Sequence, residues 1–383
     1  MNEALEKILA GERAFEPSTG PDPKSLSVLS ERPLAVYGLG ECAHWFHEIG
    51  MKRFGITPVI ALDSKPPGSD WWGVETMTAE QFVSSSGLFD PDIEVIVSVG
   101  TRATFNAIKA SLEELGLRRV HYLHDFYEFQ SFFVWDADEI ARRMRDNKEK
   151  FRKVFPLLAD DLSRDIFCKL TQVHVTRMPL DIPASPRDEQ YFPSDVPLSK
   201  GHGTYVCCGA YDGENVRLLG QKLGQTKEIL CFEPEPLIYS ALADCARRST
   251  GSVADRIVCF HNAVSDQNGT HPFISGHGLG SRLDRTGEDF AQCVKLDDAL
   301  AGFTPTFISM DIEGAEVPAL RGCNDVIKRY KPDLGICVYH YPEQIAEVID
   351  CINEIESGYQ FYVRNYTTYL TETVIYAVCP LEA

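Results

Sequence analysis

The chain has no apolar run approaching the roughly 18–20 residues that cross a bilayer. Its longest run, around Val95–Val99, has strand length, so no membrane span is expected. It also lacks any basic surplus: the formal net charge is −19, and the one basic stretch, Arg142–Lys153, is interleaved with acids at helical spacing. That pattern is a solvated helix face, whereas a nucleic-acid partner needs a cationic surface to neutralise phosphates. No nucleic acid is therefore expected, although a local basic pocket for one or two phosphates stays open. A C-x-x-C pair is missing too. The twelve cysteines are scattered, with Cys207 and Cys208 adjacent and Cys231, Cys259, Cys337 and Cys379 inside strand-like runs. They read as buried reduced thiols, not as disulfides or a zinc site. Finally, Met1–Phe15 carries Glu3, Glu6 and Glu12 where an export signal carries positive charge, so the expected location is cytoplasmic.

What is present is enough chain for two domains: 383 residues, 44% apolar and 24% charged. Residues 1–30 read as a short helix and a tether, Pro17–Ser30, rich in Pro, Ser and Gly. From Pro33 strands and helices alternate: Leu34–Tyr37, a helix over Cys42–Ile49, Thr57–Leu62, Val95–Val97, a helix over Thr101–Leu115, and Val120–Leu123. Such alternation indicates a parallel sheet covered on both faces, here a Rossmann-like domain over 31–128. A helical linking segment is expected over 129–189. A second domain, 190–383, repeats the alternation from Thr204 and closes with Gln360–Arg364 and Thr373–Val378, a hairpin. The expected fold class is α/β, with two doubly wound Rossmann-like domains, the second ending in an antiparallel hairpin.

Chemistry concentrates at strand ends of the second domain. Gly209, Ala210, Tyr211, Asp212 and Gly213 form a glycine turn between a strand and a helix, where backbone can approach a ligand closely. Glu233 ends the next strand about 20 residues on, a place from which an acid can accept hydrogen bonds from ribose hydroxyls. Pro234 stops that strand. Asn262 and Ala263, after the third strand, can meet an adenine edge. Asp311, Glu313 and Glu316 follow an apolar strand, an expensive arrangement unless the carboxylates have partners or work to do. His340 ends a further strand. Open α/β sheets bind ligands at such carboxyl ends.

The string QYFP, CCGAYDG, CFEPEP, HNAVSD, VKLDD, FISMDIEGAE, ICVYHYPE and ETVIYA resembles the FkbM family of methyltransferases in order and spacing, over about 190 residues. The resemblance implies a class I, S-adenosyl-L-methionine-dependent enzyme. Gly209, Asp212, Gly213, Glu233 and Asn262 would bind the cofactor, and Asp311 would face both cofactor and acceptor. It also implies O-methylation, often of sugars in polysaccharides or other glycoconjugates. One position departs from the pattern. The family usually carries an acid two residues before the first glycine, where it helps hold the cofactor's amino-acid end; Cys207 stands there. Either Asp212, Asp311 or backbone groups take over, or catalysis is lost.

A sugar hydroxyl is a poor nucleophile, so a base within hydrogen-bond reach helps. His340 or Asp311 is the candidate, with Glu313 orienting a partner or the sugar. A divalent metal held by Asp311 and Glu313 is an alternative. The loop Phe273–Gly287, with Gly276, Gly278 and Gly280, is the expected acceptor lid. In the first domain Gly38, Gly40 and Asp63 outline a dinucleotide-type turn. That stretch resembles nucleotide-sugar-holding domains of sugar-modifying enzymes. The expected partner is thus a small molecule or nucleotide-linked sugar, with room left for a homo-oligomer. Other readings are N- or C-methylation of another small molecule, a cofactor-binding module without catalysis, or an NAD-dependent oxidoreductase centred on the first domain.

Overall fold

The computed structural model describes residues 1–16, 29, 32–68, 70–85, 90–100, 102–126, 129, 137–178, 180–276, 280–367 and 370–380. All of the expected tether except Leu29 therefore lies outside the described residues, as does Gly278 of the expected lid.

After α1 (Asn2–Leu9), a first sheet is built from β1 (Leu34–Tyr37), α2 (Glu41–Trp45), β2 (Ile60–Leu62), β3 (Thr76–Met77), α3 (Ala79–Ser84), β4 (Glu94–Val97), α4 (Arg102–Glu114) and β5 (Arg119–Tyr122). Its order is β3-β2-β1-β4-β5, and every pair is parallel. The order reverses between β1 and β4, which makes a switch point at their carboxyl ends. The helix expected over Cys42–Ile49 continues past α2 as a π-helix, Phe46–Arg53. Separate hydrophobic clusters cover the two faces, one around Phe46, Phe126 and Phe129, the other around Phe82, Phe105 and Leu112.

Two helices, α5 (Ala137–Val154) and α6 (Asp161–Thr176), replace the single helical stretch expected before Pro179. The break falls at Phe155–Leu157, a 3-10 turn containing Pro156, which cannot donate to a continuing helix. Asp160 then caps α6 by accepting from Ser163 N (2.7 Å), and Arg177 ends it in the left-handed region at φ +56°. Their core residues Phe151, Phe155 and Phe167 join the same cluster as the second sheet.

That sheet comprises β6 (Thr204–Cys208), α7 (Glu214–Leu223), β7 (Thr226–Phe232), α8 (Pro236–Ser249) and β8 (Ala254–Phe260). It continues, after an intervening smaller sheet, with β13 (Phe307–Met310), α10 (Glu316–Arg321), α11 (Asn324–Tyr330), β14 (Asp333–Cys337), α12 (Gln344–Ile355), β15 (Gln360–Asn365) and β16 (Thr373–Val378). The order is β15-β16-β14-β13-β6-β7-β8, with β16 antiparallel to both neighbours and the other pairs parallel. This is the expected doubly wound sheet with its antiparallel hairpin. The central strands β6 and β13 are buried along their whole length, which accounts for the absence of any charged residue in them.

The smaller sheet was not anticipated. It holds β9 (Ala263–Val264), β10 (Gly269–Ile274), β11 (Arg282–Leu283) and β12 (Asp289–Val294), in the order β11-β10-β12-β9, followed by α9 (Leu296–Ala299). Part of the expected lid is thus strand: Phe273 pairs with Leu283 and with Asp289. Among the described residues no helix is long and apolar enough to cross a membrane.

Candidate active site

The site is assembled where β6, β7, β8 and β13 end. Gly209 turns the chain out of β6 at φ +77°, and a Cβ there would lie 1.9 Å from the Asp311 carbonyl oxygen. Close approach to the end of β13 therefore requires glycine. Tyr211, at φ +48°, donates its backbone N–H to Glu233 Oε2 (3.0 Å). Gly213 begins α7, and its missing side chain makes room for Cys245. Both carboxylate oxygens of Asp212 accept from Arg217 Nη2, at 2.8 and 3.0 Å, and its backbone carbonyl accepts from Nη1 at 3.0 Å.

Glu233, one residue past β7, is 6% exposed. Its Oε1 accepts from Glu235 N (2.9 Å). Burial pushes its pKa up to about 7, against the pull of the two N–H donors. Each carboxylate oxygen has capacity beyond the one bond it accepts, so ribose hydroxyls can still be received.

The end of β13 carries the densest charge. Glu313 sits at φ +57°, strain in a non-glycine residue that aims its side chain, and Gly314 follows at φ +96° against the Tyr341 ring. Glu316 is fully buried and closes this turn by accepting from Ile312 N (3.0 Å), Gly314 N (3.4 Å) and the Gln344 amide. Beneath the carboxylates lies His340, also fully buried, with Nδ1 3.2 Å from Glu316 and Nε2 3.5 Å from Asp311 and 3.7 Å from Glu313. Burial opposes charge on the imidazole, but the surrounding carboxylates prevail and raise its pKa. Burial likewise opposes ionisation of Glu316, yet His340 and the turn N–H groups hold it below its ordinary value. Asp311 and Glu313 are both raised, first by burial. The Tyr339 hydroxyl donates to both oxygens of Asp311 (2.9 and 3.2 Å), and the Tyr191 hydroxyl reaches Oδ2 at 3.5 Å.

One cleft of about 1110 Å³ is lined by Gly209, Ala210, Tyr211, Glu233, Pro234, Asn262, Ala263, Asp311 and Glu313. Asp212, Gly213 and His340 stand outside its lining. The lining also includes Arg187, Arg282, Tyr339 and Glu372, to which the sequence had assigned no individual role. Arg187 and Glu372 pair at 2.5 Å, joining the proline-rich segment before β6 to the turn before β16. Cys42 and Gly100, at the carboxyl edge of the first sheet, line the same cleft. Gly38, Gly40 and Asp63 do not. Gly38 packs against the Ser98 carbonyl, and Asp63 accepts from Leu39 N (2.8 Å) and Lys65 N (2.9 Å).

Asp311, Glu313 and His340 offer ligand atoms within 4.8 Å of one another, close enough for a cation. Without a cation, His340 carries positive charge that balances the surrounding carboxylates, and a divalent ion held by these three residues would have to displace that proton.

Residues 208–361 match the methyltransferase FkbM domain, a span from the end of β6 into β15 that contains Gly209, Glu233, Asp311 and His340. The crystal structure of methyltransferase FkbM from Methylobacillus flagellatus KT is similar over 98% of this chain and 98% of its own, with a TM-score of 0.72 at 20% identity. That likeness extends the shared fold to the first sheet. Fibrillarin of Aeropyrum pernix, with S-adenosyl-L-methionine bound, covers 50% of this chain and 73% of its own at 11% identity and a TM-score of 0.33. This is too slight to carry an argument. No curated protein sequence matches the chain.

Proposed function

We propose that the chain, whose residues 208–361 match the methyltransferase FkbM domain, transfers the methyl group of S-adenosyl-L-methionine to a sugar hydroxyl. The setting is polysaccharide or glycoconjugate biosynthesis in the cytoplasm. The observation that carries this reading is the convergence of buried Glu233 and the Asp311–Glu313 pair on one cleft, at the carboxyl ends of adjacent strands. The cofactor, when bound, supplies a methyl group on a cationic sulfur, already activated for in-line transfer.

The residues fit that group. Glu233 accepts the ribose hydroxyls, the backbone of Gly209–Tyr211 admits the ligand closely, and Asn262 and Ala263 bound the adenine side. An acid-rich cleft favours a cationic cofactor. Of the groups that can take the hydroxyl proton, Asp311 and Glu313 face the cleft and His340 lies behind them. Glu313, held at the cleft in a strained backbone, is the proton acceptor in its ionised form, and burial raises its pKa and with it its basicity. His340 fixes Glu313 and Asp311 from below. Aligning the hydroxyl with the methyl–sulfur bond contributes much of the acceleration, up to about 7–11 kcal/mol in favourable intramolecular cases. A first sheet that holds the nucleotide of a nucleotide-linked sugar is supported by the reach of the cleft to Cys42 and Gly100, and by Gly40, beside which there is open space.

Calorimetric titration with S-adenosylhomocysteine tests the cofactor, with Glu233→Ala as control. Micromolar binding lost in the variant supports the reading, and absence of binding at millimolar ligand removes it. UDP-, GDP- and TDP-sugars, titrated in turn, test the first sheet. Lack of affinity for all of them would restrict the acceptor to the second unit.

A further inference from the structure

The amino-acid end of the cofactor carries a carboxylate and an ammonium, and the ammonium needs an anionic partner. The strand from which the glycine turn springs offers none: β6 reads Thr-Tyr-Val-Cys-Cys and is buried throughout. We infer that Asp311, on the neighbouring strand end, is the anchor for the cofactor's ammonium group and not the base of the reaction. This rests on the reading that the cleft holds S-adenosyl-L-methionine.

Three observations single out Asp311 among the cleft carboxylates. It is adjacent to the turn, since its backbone N donates to Cys208 O (3.0 Å) and its carbonyl is what a Cβ on Gly209 would strike. Its carboxylate is pre-oriented by the Tyr339 and Tyr191 hydroxyls, neutral donors that leave its charge in place. Among the described residues, no Lys or Arg forms an ion pair with it; its charged neighbour is the His340 ring at 3.5 Å, on the side away from the cleft lining. Of the other cleft acids, Glu313 lies two residues further along the turn and serves as the proton acceptor, Asp188 pairs with Lys222, and Glu214 is exposed on the first turn of α7. Glu372 is paired with Arg187 and accepts from Gln190, and Glu233 accepts from the turn that faces the ribose. A fixed, partly enclosed carboxylate beside the glycine turn thus takes the role that nothing on β6 can fill.

The test compares two ligands that share the adenosine and thioether but differ in the amino-acid end: S-adenosylhomocysteine has it and 5′-methylthioadenosine lacks it. In Asp311→Asn, S-adenosylhomocysteine affinity falls roughly 10- to 100-fold, as expected for one charge-assisted contact, while methylthioadenosine affinity is unchanged. Tyr339→Phe, which loosens the carboxylate and keeps its charge, falls between wild type and Asp311→Asn for the first ligand only. Equal losses for both ligands, or no loss for either, overturn the inference. A wild-type protein that binds neither ligand overturns the cofactor reading itself, and this assignment with it.

Discussion

The two parallel sheets share a plan down to the turn. In each, the first strand ends in a glycine at positive φ that packs against the carbonyl at the end of the adjacent strand: Gly38 on Ser98, Gly209 on Asp311. In each, the acid after the second strand accepts a backbone N–H from that turn, Asp63 from Leu39 and Glu233 from Tyr211. What differs is the place of the buried charge. The first sheet keeps its buried carboxylate, Glu94, at the start of β4, held by Arg32 and Arg119 (3.0 Å each) and His121 (2.6 Å). The second sheet puts Asp311, Glu313, Glu316 and His340 at the opposite, carboxyl ends of its strands, where open sheets bind ligands. Glycine and acid serve the turn in both sheets. The chemistry is decided by the fourth strand, which ends in Ser98-Val99-Gly100 in one and in Asp311-Ile312-Glu313-Gly314 in the other.

The hardest test of this contrast is Glu316→Ala set beside Glu94→Ala. Both remove a fully enclosed partner of cationic groups, a loss worth about 3–5 kcal/mol in urea unfolding. Only Glu316→Ala, which frees the turn around Glu313, is expected also to abolish S-adenosylhomocysteine binding. The Glu316–His340 pair carries a pH signature. The pKa of His340 is raised, so its contribution is full below its ordinary 6.5 and is lost as pH climbs toward about 9. That of Glu316 is lowered, so its contribution is lost as pH falls through the carboxylate range. The stability gap between wild type and Glu316→Ala is therefore widest between those limits. A gap independent of pH would show that the pair is not ionised.

The next test concerns the glycines. A methyl group at 209 would have to displace the Asp311 backbone, and Gly209→Ala should cost about 2–4 kcal/mol and the cofactor site with it. At 38 the same methyl meets Ser98 O at 2.9 Å. Gly38→Ala should cost about 1–2 kcal/mol and leave S-adenosylhomocysteine affinity intact. Equal effects on binding would mean that the two turns contribute to one site.

Much of this contrast is legible in the sequence, because strand ends advertise themselves. An apolar run closing on glycine or acid marked Gly209, Glu233 and Asp311, and all three line the cleft. The residues that escaped lie where chain crossings, not local pattern, decide the neighbour. Arg187 and Glu372 are 185 positions apart and meet because the proline-rich segment crosses the hairpin turn. Tyr339 was passed over for His340, since the titratable ring draws attention while the phenol makes the hydrogen bonds to Asp311. The glycines of 273–287 suggested a loop, but β10 and β11 form around them because pairing overrides weak strand propensity.

The smallest effect, and the sharpest comparison, is between Glu233→Gln and Asp63→Asn. Both substitutions keep shape and an acceptor oxygen for the turn N–H, and both remove one negative charge. At Glu233 the lost charge lines the cleft, on the side proposed for the ribose, so S-adenosylhomocysteine affinity should fall roughly 10- to 100-fold. At Asp63, outside the cleft lining, it should not change. In the wild type, affinity should rise as pH passes upward through about 7, because only the ionised Glu233 accepts from every direction. Burial holds a proton on Glu233 in the free protein, and ligand hydroxyls donating to the carboxylate release it, so binding below pH 7 should expel a proton. Glu233→Gln should bind weakly with that step removed. If the step survives in Glu233→Gln, the titrating group is one of the carboxylates at the end of β13, and both halves of the cofactor would then depend on the strand that distinguishes the two sheets.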